Sequence, residues 1–216
     1  MSDQVLRIQN LSFGYRFNMP LIRDFSMILN KNDKVMIDGV SGAGKSTLLN
    51  LIFGYLQPTS GKIFLLNQDL SKLNQYQMPY MRRKIGLITQ FSTLLKDMNV
   101  LDNVAMPMLL DGKSSRAAYN RAESLLDRVK LSDKLYSSVL DLSGGEEQRV
   151  NIARALCNYP KMILADEATA NLDTGNAENI LQLCIEMSEE YQTPLLWTTH
   201  NPNHKYLFSK TITLKL

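Results

Sequence analysis

The chain has 216 residues, 44% of them hydrophobic, and its 24 Lys and Arg against 21 Asp and Glu leave a formal charge of +3. That length suffices for one α/β domain with a sizeable core and room for a subdomain, and so small a charge, spread without a long basic block, argues against nucleic acid as a partner. The longest apolar runs, such as VAMPMLL at 104–110, fall far short of the roughly 18 residues of a membrane span, and the opening MSDQVLRIQ lacks the basic-then-apolar order of a signal peptide.

Strands are predicted near 5–8, 25–29 and 34–38. The third runs into IDGVSGAGKSTLLN, where Gly39 to Ser46 spell G-x-x-x-x-G-K-S, the phosphate-binding loop pattern. The apolar KVMI before it suits a buried strand and STLLNLIF after it suits a helix near 45–54, which is the strand, loop and helix setting the pattern needs. Glycines let backbone N–H groups close around phosphate oxygens, and a helix start adds partial positive charge. In such a loop Lys45 reaches the β and γ phosphates and the Ser46 hydroxyl ligates Mg²⁺, so a nucleoside triphosphate is the expected ligand.

Further strands are predicted near 61–66 and 85–89, with weaker helical patterns near 70–82 and 99–110. In SSRAAYNRAESLLDRV, Ala118, Ala122, Leu125 and Val129 share one face behind a cap at Ser114 or Ser115, which predicts an amphipathic helix over 115–129. Residues 91–158 are nearly free of strand signals, as expected of a helical subdomain inserted into a sheet-based core. Within them LSGGEEQRVNIARAL, 142–156, opens a helix over 144–157 with Val150, Ala153 and Leu156 on one face. Ser143, Gly144 and Gly145 then offer N–H groups and a hydroxyl at a positive helix end, a second anion site. The same residues also read as a capping box of Ser143 with Glu146, and the two readings are compatible.

KMILADEAT, 161–169, reads as a buried strand over 162–166 that ends in Asp166 and Glu167. Adjacent carboxylates at the end of a buried strand are costly unless a cation or polar substrate sits there. Beside a phosphate-binding loop, Asp166 suits the Mg²⁺ shell and Glu167 the attacking water. A helix over 175–190 and strands near 195–199 and 211–215 complete the chain. Cys157 and Cys184 lack metal-type spacing and fall in helical patterns, so both are expected to be small core residues in a reducing cytosol.

LSGGE at 142–146 resembles the signature sequence of the ATP-binding cassette family, and other parts follow in family order along nearly the whole chain. Tyr15 in LSFGY resembles the aromatic residue that stacks on adenine, Gln90 in GLITQF the Q-loop glutamine, ANLD at 170–173 the D-loop, and His200 in WTTH the switch histidine. DMNVLDNVAMPMLLDG and ADEATANLD look closest to the small stand-alone ATPases of the lipoprotein-releasing, macrolide and peptide efflux, and cell-division group. The chain departs from that group at Ala168 and Ala170, where proline and glycine are usual, at Glu147, where glutamine or arginine stands, and at Asn201, usually aspartate. None of these removes a group needed for hydrolysis, although Glu147 adds a carboxylate near the signature helix start.

The resemblance implies an α/β P-loop NTPase cassette, a single domain over 1–216. It would have a RecA-like core from 1–90 and 159–216, an N-terminal antiparallel β-subdomain and the inserted helical subdomain. It implies that ATP is held by Tyr15 and by Gly39, Val40, Ser41, Gly42, Ala43, Gly44, Lys45, Ser46 and Thr47. In a head-to-tail homodimer, Ser143, Gly144, Gly145 and Asp173 would act in trans. Glu167 would be general base, His200 would contact the γ-phosphate, and Mg²⁺ would lie among Ser46, Gln90 and Asp166, Gln90 also touching the attacking water. Separate integral membrane permease subunits would receive the motion at the cytoplasmic face of the inner membrane, for export of lipoprotein, lipid, peptide or drug. The alternative is a cell-division type of ATPase that regulates an extracytoplasmic enzyme through a membrane partner. Apolar residues of 94–110 are the expected dock, unless they only pack the helical subdomain.

Overall fold

The computed structural model describes residues 3–16 and 19–214. In chain order its strands are β1 Gln4–Phe13, β2 Ile22–Asn30, β3 Lys34–Asp38, β4 Ser60–Leu65, β5 Gln68–Asp69, β6 Ile85–Thr89, β7 Met162–Asp166, β8 Leu195–Thr199 and β9 Lys210–Thr213. The α-helices are α1 Lys45–Ile52, α2 Gln77–Arg82, α3 Val100–Leu110, α4 Ser115–Arg128, α5 Gly144–Cys157 and α6 Thr174–Glu190.

Two sheets result. The nearly continuous apolar strands β3, β6, β7 and β8 join β9 in a parallel sheet of order β6-β7-β8-β3-β9, as strands buried on both faces should. Period-two alternation divides their side chains between two cores. Val35, Ile37, Met162, Leu164 and Leu196 point toward α1 and the antiparallel sheet β2-β1-β4-β5. Met36, Ile163, Ala165, Leu195 and Trp197 point the other way, into a core shared with α3, α4, α5 and α6. Cys157 and Cys184 are buried there, unpaired, and desolvation pushes their thiols up to about 11 and about 12, which makes them inert packing residues.

The first strand is longer than the pattern suggested, because Gln9, Asn10 and Ser12 interrupt its apolar run. Asn10 has φ 47° and the β1–β2 register shifts between Ile8 and Leu11, so a bulge carries the strand through the polar stretch. Residues 70–82 are not one helix but a 3-10 turn, Leu70–Lys72, followed by α2, with the Asn74 side chain accepting from the N–H groups of Tyr76 and Gln77. Among the described residues of 91–158 the β-structure amounts to one bridge, Asn99 to Ser138. The end of the last predicted strand, at Lys215, lies outside the described residues.

The apolar residues of 94–110, expected either to dock a membrane partner or to pack the helical subdomain, divide between a buried and an exposed set. Leu94, Val100, Leu101, Val104, Ala105 and Met108 are buried against α4 and α5, and of the strongly apolar side chains in this stretch Leu95 and Leu110 are the large ones left exposed. Among the described residues no helix is long and apolar enough to cross a membrane.

Candidate active site at the carboxyl edge of the parallel sheet

Because the strands of the larger sheet are parallel, their carboxyl ends share one edge, where open α/β sheets bind ligands. Four of the motifs read from the sequence sit at the ends of β3, β6, β7 and β8 and so reach that edge together.

From β3 the chain turns through Gly39–Gly44 into α1. Gly42 and Gly44 have φ of 82° and 93°, and a Cβ on Gly44 would also lie 3.2 Å from Leu21 Cγ, so only glycine fits there. The start of α1 has no side-chain cap and no acidic residue in its first turn, which leaves its N–H groups to an anion. Ala43 and Thr47 are buried while Val40, Ser41 and Gly42 face solvent. Tyr15 is 66% exposed and its hydroxyl lies 3.1 Å from the Thr47 hydroxyl, placing an open aromatic face beside the loop.

Lys45 is 4% exposed, and its ammonium donates to the Gly39 carbonyl at 2.8 Å and the Val40 carbonyl at 3.2 Å. It also lies 3.2 Å from Glu167 Oε1. The other Glu167 oxygen is 3.4 Å from His200 Nδ1, so this carboxylate stands between the loop lysine and the histidine at the end of β8. Glu167 has φ 44°, a sparsely populated conformation for a residue with a side chain. Its N–H is fixed by the Thr198 carbonyl at 3.2 Å and hydroxyl at 3.1 Å, which holds the strained turn in place. Asp166 Oδ1 accepts from the Ser46 hydroxyl at 3.1 Å and from the Thr198 hydroxyl at 2.8 Å. Ser46 and Asp166 thus present a small all-oxygen group, the donor type a hard divalent cation takes.

Gln90 is not joined to that group in this structure. Its amide donates to Asn171 Oδ1 at 3.4 Å, and its carbonyl accepts from Asn171 Nδ2 at 3.1 Å. The glycine-rich turn at the start of α5 stands apart too: among the described residues no hydrogen bond or ion pair links Ser143, Gly144 or Gly145 to residues 39–47. Instead Ser143 and Glu146 form a full capping box, Gly144 and Gly145 lie against Leu172 and Asn176, and Asp173 caps α6. Hydrogen bonds from the Asn176 backbone and then its side chain hold the Asp173 carboxyl below the usual range. The Glu146 carboxyl falls to about 2, first because of Lys134 and then because of the Ser143 N–H and hydroxyl.

Several contributors were not singled out as site residues by the sequence. Thr198, two residues before His200, donates to the Asp166 carboxylate and accepts from the Glu167 backbone N–H; Asn171 holds Gln90. Lys205 pairs at 2.7 Å with Asp38, the buried residue that leads into the loop. Only a charged residue on a core strand hinted at this last pair.

The chain matches the family described as ABC transporter over residues 22–170. It is 42% identical over 205 residues to the lipoprotein-releasing system ATP-binding protein LolD of Hydrogenovibrio crunogenus, covering 93% of this chain and 89% of that protein. It is 40% identical over 199 residues to the cell division ATP-binding protein FtsE of Escherichia coli, covering 92% and 89%. Among solved structures, the ATP-binding cassette MJ0796, a dimer in a post-hydrolysis state bound to ADP and Pi, superposes with a TM-score of 0.87 at 31% identity, covering 97% of this chain and 94% of that one.

Proposed function

The chain belongs to the ABC transporter family, and we propose that it is the ATP-hydrolysing subunit of a lipoprotein-releasing type of transporter, pairing with a second copy on ATP and driving separate integral membrane subunits from the cytoplasmic face. The observation that carries the catalytic part is the Lys45, Glu167 and His200 chain of contacts, with Ser46 and Asp166 beside it, all at one sheet edge.

In this reading the phosphates occupy the loop of Gly39–Thr47, Lys45 faces the β and γ phosphates, and Tyr15 stacks on the base. Phosphate oxygens compete with Glu167 for the Lys45 ammonium, and the Glu167 carboxylate is freed to take a proton from water. His200, already against Glu167, contacts the γ-phosphate. Ser46 and Asp166 would hold Mg²⁺ beside the nucleotide, and the ion would neutralise charge on the phosphates. Gln90, whose amide now donates to Asn171, would join that shell on leaving Asn171. Ser143, Gly144, Gly145 and Asp173 face the nucleotide of the second copy; what supports this for the first three is that they are joined to nothing in their own phosphate loop and that their helix start is open to solvent. Loss of the γ-phosphate then removes the charge that bridges the two copies.

The nearly equal identity to a cell-division ATP-binding protein favours a second reading, in which the same cycle regulates an extracytoplasmic enzyme through the membrane partner. Capture of the Glu167→Gln variant with ATP from solubilised membranes, followed by identification of the bound protein, separates the two. A partner with four spans and a large extracytoplasmic domain supports transport. Recovery with no integral membrane protein, in either nucleotide state, would remove the membrane-coupled reading.

A further inference from the structure

Lys134 ends a 3-10 turn, Ser132–Lys134, that follows α4, and its ammonium lies 2.5 Å from Glu146 Oε1. The other oxygen, Glu146 Oε2, accepts from the Ser143 N–H and from the Ser143 hydroxyl, both at 2.9 Å. The Ser143 hydroxyl oxygen in turn accepts from the Glu146 N–H at 3.4 Å. A hydroxyl has one proton and two lone pairs. Here the proton is committed to Glu146, so the group shows only a lone pair to solvent. An approaching phosphate oxygen is an acceptor and needs that proton.

Turning the proton outward costs whatever the Glu146 carboxylate loses as an acceptor. A carboxylate already bonded to an ammonium loses less, and its charge repels an incoming polyphosphate less. Glu147, half-buried in the same first turn, adds a second negative charge, so the compensating cation has more to offset. Resting on the trans role proposed for Ser143, we propose that Lys134 is a positioning residue for the reaction: by holding Glu146 it frees the Ser143 hydroxyl to donate to a phosphate of the nucleotide bound by a second copy of this chain.

The test compares Lys134→Met, Glu146→Gln and the double variant with the parent chain. The readouts are ATP affinity of the monomer, ATP-driven dimerisation in a Glu167→Gln background, and turnover. Lys134→Met should leave monomer affinity unchanged and weaken dimerisation by about threefold to tenfold, since each head-to-tail dimer contains this partly exposed pair twice. Turnover should fall at saturating ATP. Adding Glu146→Gln, which keeps an oxygen acceptor for the cap but removes the charge, should restore both, although the ion pair is still missing; Lys134→Arg should behave as the parent. If the double variant is as impaired as Lys134→Met, or if Lys134→Met dimerises normally, the role is overturned. Should Ser143→Arg abolish nucleotide binding by the isolated folded monomer, the trans reading itself falls, an outcome distinct from either.

Discussion

The Lys45 ammonium lies 3.2 Å from Glu167 Oε1, although the two residues leave different strands of the parallel sheet. The pair joins the cation expected to meet phosphate with the carboxylate expected to meet water. Replacing Lys45 with alanine removes the charge-assisted contacts to phosphate and leaves Glu167 facing them uncompensated. ATP affinity should drop by about tenfold to hundredfold or more, on the scale of a lost hydrogen bond to a charged group, and turnover should vanish. Equilibrium binding of a fluorescent nucleotide checks this; parental affinity would contradict the phosphate-loop role.

Glu167→Gln keeps the side-chain length but can no longer accept a proton as a carboxylate does. Nucleotide binding should persist while hydrolysis slows by about 10²-fold or more, the scale of a lost general base. An ATP-bound dimer should accumulate and appear at twice the monomer mass in light scattering. A variant that turns over normally would place the base elsewhere.

Ser143→Arg puts bulk and charge at an exposed helix start that makes no contact with its own phosphate loop. The monomer should bind ATP as before, while dimer closure and hydrolysis fail. Mixing it with Lys45→Ala gives heterodimers in which one site carries both defects and the other neither. Partial recovery of activity on mixing is the expected outcome. Two inactive proteins that remain inactive together, with heterodimer demonstrated, would argue against complementation across the interface.

Asp38 and Lys205 differ in what their loss exposes. Asp38 is 7% exposed and Lys205 reaches it from the half-exposed turn after His200. Lys205→Met leaves a buried carboxylate without its cation and should cost about 1–2 kcal/mol after allowance for solvent screening. Asp38→Asn leaves a lysine that water can solvate and should cost about 0.5 kcal/mol or less. Burial raises the Asp38 carboxyl, but Lys205 and the Thr213 hydroxyl more than offset this and hold it below its ordinary 3.8. A depressed carboxylate stabilises the fold above its unfolded value, and that contribution is lost as pH falls. The stability gap between the parent and Asp38→Asn should therefore be constant above about pH 5 and shrink as pH falls below 3.8. Urea midpoints across that range measure it, and equal costs for the two substitutions would show that the pair is not the reason Asp38 is tolerated.

The local parts of this protein were legible in the sequence because their physics is local. A glycine-rich turn between an apolar strand and a leucine-rich helix needs no distant partner to be recognised, and neither does Ser143 three residues before Glu146, since a capping box closes within one turn. Strands buried on both faces declared themselves as continuous apolar runs, and α4 by the spacing of Ala118, Ala122 and Leu125. Polar residues at Gln9 and Asn10 hid the middle of β1, because a bulge obeys neither period.

What the sequence determined by itself was which residues could do the chemistry; which of them touch was decided by strand order. The parallel order β6-β7-β8-β3-β9 puts the ends of β3, β7 and β8 side by side, so Lys45, Glu167, Thr198 and His200 meet, and it leaves Gln90 on Asn171 and the signature turn outside the group. The same holds for Asp38 with Lys205 and for Lys134 with Glu146, whose pairing depends on how a distant turn folds back. An apolar stretch such as 94–110 shows that it must be covered but not by what; α4 and α5 cover most of it within the folded chain, because the burial that drives folding is non-directional and takes whichever apolar surface the topology brings within reach.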